Sequence, residues 1–95
     1  MDITANIRII EMLKTELLKH VADLHEALLK QMPLAEREEL LSRIVIDCYM
    51  LTRRIGGSYE QLDNNISDTL RLMLLDGKEP SVRDAGGLIK FFESR

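Results

Sequence analysis

Three residues whose side chains can bind metal ions or transfer protons lie close together in the first third of the chain. Glu16, His20 and Asp23 are four and three residues apart, which places them along one stripe of a helix. Glu and His at this spacing can hold a metal ion when a facing helix adds a ligand, and Asp47 is a candidate for that ligand. An ordinary surface pair of Glu16 with His20 is the alternative interpretation.

Asp47 is notable in its own right, because it lies in the most hydrophobic run of the chain. The run from Ile44 to Leu51 is otherwise bulky and mostly apolar. Asp47 could be a metal ligand, a catalytic acid, or a polar residue that fixes the register of packed helices. The last hypothesis predicts a partly buried carboxylate bound to a donor, which would be Arg43 one turn earlier or an Arg of a partner chain.

The elements that must position these residues are helices. The chain has 95 residues, of which 45% are hydrophobic, 31% are charged and only 4% are aromatic, so its core must be aliphatic. Apolar residues recur at steps of three and four. Pro33 and the pair Gly56-Gly57 interrupt this pattern. Three helices are therefore predicted, over about Thr4–Met32, Leu34–Ile55 and Ser58–Asp76.

The C-terminal segment has a weaker pattern. Its first part, "DGKEPSVRDAGG", has the composition of a loop, although Ser81 to Asp84 could begin a brief turn. The last part, "LIKFFESR", is expected to form a short helix or a docked tail. At least one of Phe91 and Phe92 should pack against the rest of the protein.

These elements predict an all-α fold in a single domain over residues 1–95. A long helical hairpin would carry a third helix packed across it and a short C-terminal element. The second helix is apolar around nearly its whole circumference, more than so small a chain can bury alone. We therefore expect a homo-oligomer, either a dimer or a tetramer, with a four-helix-type bundle core.

Composition also argues against several classes of function. The net charge of −3 and the dispersed basic residues argue against nucleic-acid binding. No apolar run is long enough for a membrane span, and the N-terminus does not resemble a signal peptide. The single Cys48 excludes an internal disulfide and is expected to be reduced and buried in the core. A cytoplasmic location is predicted. His25 and Glu26 are expected on a solvated face.

Two segments of the chain resemble the MazG-like family, which belongs to the all-α nucleoside triphosphate pyrophosphohydrolases. "ADLHEALLK" is similar to the family's "ELxEAI" segment, and "YMLTRRIGGSYEQL" is similar to its "LxRxLGxxxEEA" segment. The resemblance covers about Ile7 to Leu75, and apolar spacing and one helix stop carry most of it. Residues 76–95 lie outside it.

The resemblance implies a magnesium site built from two acidic pairs, ExxE on the first helix and ExxD on the second. The first pair falls at His20 and Asp23, and the second falls at Leu40 and Arg43. Magnesium requires hard oxygen ligands, and only Asp23 supplies one. Almost the whole expected ligand set is therefore replaced.

These replacements predict a non-catalytic protein without a cofactor, acting as a dimeric scaffold or a regulatory module that binds a nucleotide or a protein. The alternative is a magnesium-dependent nucleoside triphosphate pyrophosphohydrolase with a displaced metal site. Its candidate ligands are Glu16, His20, Asp23 and Asp47. A helical partner module unrelated to the MazG-like family is a third hypothesis.

Overall fold

A computed structural model describes residues 2–77 and 81–95, and in these ranges the chain forms four α-helices and no strand. The all-α prediction is confirmed. The helices are α1 (Ile3–Leu29), α2 (Leu34–Arg54), α3 (Tyr59–Asp76) and α4 (Ser81–Ser94). Within the described ranges, none of these helices combines the length and the apolar character that a membrane crossing requires.

Local backbone signals set the ends of α1. Asp2 caps the N-terminus, where its side chain accepts a hydrogen bond from the backbone N–H of Ala5 at 3.2 Å. The helix ends at Leu29, three residues before the predicted boundary, because Gln31 has a φ of 51°. The N–H of Met32 then donates to the carbonyl of Ala27 at 3.0 Å and closes the turn.

Helix α2 follows this turn and runs back along α1. The carbonyl of Pro33 accepts hydrogen bonds from the N–H groups of Glu36 and Arg37, at 3.0 and 3.2 Å. At the other end, Asn6 donates from its Nδ2 atom to the carbonyl of Arg54 at 3.2 Å. The start of α1 therefore lies beside the end of α2, and the predicted helical hairpin is present.

Gly56 and Gly57 end α2, as predicted. Gly56 has a φ of 101°, which side chains on L-residues disfavour. The N–H of Gly57 donates to the carbonyl oxygen of Thr52 at 2.7 Å. A Cβ atom at Gly57 would lie 2.6 Å from the Oγ1 atom of Thr52 and 3.1 Å from its carbonyl oxygen. The turn therefore requires a residue without a side chain at this position.

Gly57→Ala is expected to lower the free energy of unfolding by about 1–3 kcal/mol, because the added methyl group overpacks the turn against Thr52. The matched control is Gly87→Ala in α4, where a Cβ meets nothing within 4 Å. That change should raise stability by up to about 1 kcal/mol through helix propensity. Urea unfolding of both variants checks the pair, and equal midpoints would contradict the close approach at Gly57.

The contacts divide the chain into two units, Met1–Ser58 with α1 and α2, and Tyr59–Arg95 with α3 and α4. The prediction of a single domain stays a prediction. The first unit buries Leu13, Ala27 and Asp47, whereas the second buries Leu70 and Ala85. Each unit is one pair of helices with a thin core.

Helix α4 corrects the prediction of a loop through residue 87, since it begins at Ser81. Ala85 is buried, and Ile89 and Phe92 are half-buried, so these positions form a helical stripe. Gly86 lies within α4 without breaking it, and a Cβ atom there would be in ordinary contact with Leu74 of α3, at 3.8 Å. Phe92 is thus packed within its unit, whereas Phe91 is exposed. The predicted loop residues Lys78 to Pro80 lie outside the described residues.

The apolar surface of α2 is mostly exposed in the single chain. Its one buried residue is Asp47, whereas Leu41, Val45, Ile46 and Met50 are all exposed. Cys48 is exposed too, and its predicted burial in the core is wrong. Asp47 faces α1, and successive residues of a helix point about 100° apart. The side chain of Cys48 is therefore directed away from α1.

Candidate functional site

A cleft of roughly 600 Å³ lies between α1 and α2. Its apolar lining residues are Met12, Leu13, Ile46 and Met50, and its polar lining residues are Glu16, His20, Glu39, Ser42, Arg43 and Asp47. Three carboxylates, one guanidinium and one imidazole therefore face a common space. This cleft is the candidate functional site.

The shortest polar contact in the cleft joins the two helices. The Nδ1 atom of His20 lies 2.7 Å from the Oδ2 atom of Asp47. The two side chains are only 12% and 8% exposed. An ionised carboxylate can only accept hydrogen bonds, so the Nδ1 atom of the imidazole is the donor. The contact pins α1 to α2 at the centre of the hairpin.

This geometry answers the question raised by Asp47 in its hydrophobic run. Asp47 is buried and meets a donor, as the register hypothesis predicted, but the predicted donor is wrong. The guanidinium of Arg43 instead donates to the Oε1 atom of Glu39 at 3.0 Å, in an exposed pair on α2. The carboxylate of Asp47 bonds across the hairpin to His20 of α1 rather than to a side chain of its own helix.

Glu16 extends the contact toward the solvent. Its Oε2 atom lies 3.5 Å from the Nε2 atom of His20, one turn away on α1, and its side chain is 46% exposed. Glu16, His20 and Asp47 thus form a chain of carboxylate, imidazole and carboxylate. Its inner end is buried, and its outer end opens into the cleft.

The structure brings together three of the four candidate ligands and leaves one out. Asp23 is half-buried on α1 and does not line the cleft. Across the described ranges, no group of three His, Cys, Asp or Glu side chains could hold one metal ion. Asp47 contacts the far nitrogen of His20, so the three residues do not converge on a single point.

Two further cleft residues were missed in the sequence. Glu39 and Ser42 line the cleft beside Arg43. A signal for Glu39 was present, since Glu39, Arg43 and Asp47 follow one another at steps of four on α2. That spacing marks a polar stripe on one side of the helix.

His25 and Glu26 lie outside the site, on an exposed face as predicted. Lys30 contacts the carboxylate of Glu26 at 2.7 Å. A side-chain hydrogen bond and the positive charge of Lys30 lower the pKa of Glu26. The pair is fully exposed, so its role is limited to the surface of α1.

The magnesium site implied by the family resemblance does not fit the residues at its positions. Leu40 offers no ligand, and Arg43 places a cation there, paired with Glu39. The carboxylate of Asp47 is hydrogen-bonded to the imidazole of His20. Magnesium binds through several oxygen ligands in octahedral geometry, and this arrangement does not supply them.

The fold and the cleft define an all-α protein built on a long helical hairpin, with a polar chain at the hairpin's centre. The profile of the MazG-like family matches residues 3–85, so the chain belongs to the MazG-like family. The match includes the first residues of α4. No significant match was found among curated proteins or among solved structures.

Proposed function

We propose that this MazG-like protein is non-catalytic and acts as a homodimeric scaffold or regulatory binding module. The observation that carries the proposal is the state of the family's acidic positions. Three of the four hold His20, Leu40 and Arg43, and Arg43 forms an ion pair with Glu39. A catalytic magnesium ion, which would neutralise the triphosphate where water attacks, has no ligand set at these positions.

The exposed apolar surface of the hairpin supports a second copy of the chain as its partner. Met12, Ile46 and Met50 line the cleft, and each is exposed in the single chain. A pair of helices is one layer and needs a second layer to bury its apolar face. Two hairpins packed on each other would supply that layer as a four-helix arrangement.

The charge of the cleft favours a protein rather than a nucleotide as a further partner. Glu16, Glu39 and Asp47 contribute negative charge, and the cleft's only guanidinium already binds Glu39. A triphosphate is itself strongly negative and would be repelled by this surface. We therefore expect a protein partner to bind to the exposed surfaces of the helices.

No magnesium-dependent release of pyrophosphate is expected from a panel of nucleoside triphosphates. The positions that correspond to the family's acidic pairs lack the oxygen ligands that magnesium needs. A coupled pyrophosphate assay on the purified full chain measures this directly. A known pyrophosphohydrolase in the same buffer serves as the positive control.

A displaced catalytic site is the second candidate function, favoured by the single fact that Glu16, His20 and Asp47 meet in one cleft. Turnover that disappears in Asp47→Ala and persists in His25→Ala would establish this alternative and overturn the scaffold proposal. His25 is the matched control, because it is the chain's other histidine and lies exposed outside the cleft.

A further inference from the structure

We propose that the face of the hairpin opposite the cleft binds an amphipathic helix of a partner protein, and that a carboxylate of that helix pairs with Arg37 of α2. Arg37 is half-buried, and its Nε atom is buried without a hydrogen-bond partner among the described residues. Among these residues its guanidinium forms no ion pair either. A buried cationic donor without an acceptor destabilises the single chain, so an acceptor supplied by a partner would favour binding.

The position of Arg37 on α2 places it on the side away from the cleft. Asp47 faces α1, and successive residues of a helix point about 100° apart. Counted from Asp47, Ile46 and Met50 are turned by about 100° and 60° in one direction, and both line the cleft. Arg37 and Leu41 are turned by about 80° and 120° in the opposite direction. They therefore lie along the edge of α2 that does not line the cleft.

Helix α1 contributes exposed apolar residues to the same side of the hairpin. His20 faces α2, and Glu16, turned by about 40° to one side of it, lines the cleft. Val21 and Leu28 are turned by about 100° and 80° to the other side. The rear face of the hairpin is defined by Val21, Leu28, Arg37 and Leu41, whose apolar members are exposed in the single chain.

The charge of the rear face indicates what would bind there. It carries one guanidinium and no carboxylate, whereas the carboxylates of Glu16, Glu39 and Asp47 line the cleft. Two rear faces packed on each other would bring cations together, which disfavours a second copy of the chain at this place. A guanidinium can bind one carboxylate through two parallel hydrogen bonds. A partner helix with apolar residues at steps of three and four would cover the exposed side chains around that pair.

This inference names a partner for the binding module and rests on that proposed function, so its test measures binding alone. The probes are two synthetic helical peptides of about 18 residues, with leucines at steps of three and four and either one Glu or one Gln at the centre of the apolar stripe. Fluorescence anisotropy of each labelled peptide measures its affinity for the full chain. We expect the Glu peptide to bind about tenfold more tightly than the Gln peptide, because hydrogen bonds between ionised partners are stronger.

Arg37→Gln should remove this difference in affinity. The matched control is Arg43→Gln, which should keep the difference, because Arg43 lines the cleft and pairs with Glu39. Leu41→Glu keeps the test decisive if Arg37→Gln unfolds. A carboxylate at this exposed position, one turn from Arg37, would pair with the guanidinium and should remove the difference too.

Three results of the peptide titrations would overturn the inference: equal affinities of the two peptides for the unmodified chain, no binding of either, or a difference that persists in Arg37→Gln. A lower sedimentation mass of Arg37→Gln would assign the rear face to a second copy of the chain and overturn it equally. Magnesium-dependent pyrophosphate release would instead overturn the non-catalytic function, so the two failures are distinguishable.

Discussion

His20→Ala is expected to lower the free energy of unfolding by about 3 kcal/mol, because it leaves the Asp47 carboxylate buried without its donor. Nearby water cannot readily replace the imidazole, since the carboxylate is only 8% exposed. In a chain of 95 residues, this loss corresponds to a fall in melting temperature of more than about 10 °C. Thermal melts at one fixed protein concentration measure the effect.

Three further variants test whether the contact between His20 and Asp47 stabilises the hairpin. Asp47→Asn keeps an acceptor for His20 and should cost little stability. His25→Ala changes an exposed histidine of the same helix and should stay within about 0.5 kcal/mol of the unmodified protein. Adding Asp47→Leu to His20→Ala removes the uncompensated charge and should recover part of the loss. A His20→Ala protein that melts like the unmodified chain would show that Asp47 finds another partner.

Ile46→Glu is expected to convert the proposed homodimer into a folded monomer. Ile46 is 52% exposed in the single chain, so a carboxylate there stays hydrated in the monomer. In a dimer that covers the cleft face, the same carboxylate would lose its water, which costs several kcal/mol. A penalty of that size weakens association by a factor of a thousand or more, since each 1.4 kcal/mol is about tenfold. Sedimentation at micromolar concentration gives the mass, and circular dichroism reports the helices.

Cys48→Glu is the matched control for this prediction. Cys48 is exposed on α2 and does not line the cleft, and it lies about 200° around the helix from Ile46. The control should remain a dimer. A monomeric unmodified protein at micromolar concentration would refute the homodimer, and an undisturbed dimer in Ile46→Glu would place the interface elsewhere.

Much of the hairpin can be predicted from the sequence because its signals are local. Pro33 and Gly56 restrict or permit backbone conformations through their own dihedral angles. Their positions therefore predict both ends of α2 to within one residue. The first part of α4 was predicted as a loop for the same reason. Gly86 has the local signature of a helix breaker, whereas the burial of Ala85 depends on the packing of α4 against α3.

In the candidate site too, the contact within one helix could be predicted from the sequence, whereas the contact between helices could not. The pairing of Glu16 with His20 follows from helical spacing alone. The contact from His20 to Asp47 depends on the register of α1 against α2, which the left-handed turn at Gln31 and the packing of the hairpin determine. Arg43 looked like the partner of Asp47 because both lie on one helix one turn apart, whereas the buried carboxylate in fact bonds across the hairpin.

Each of the two units pairs helices that are consecutive in the chain, and this has a consequence for how the protein reaches its fold. Contacts near the turn between α1 and α2 join residues close in sequence, so little chain entropy is lost when they form. Proteins dominated by such local contacts fold in microseconds to milliseconds. The hydrogen bond between Asn6 and Arg54 joins residues 48 apart in the chain, so we expect it to form late. We therefore expect the first unit to begin unfolding at the end of the hairpin where Asn6 contacts Arg54.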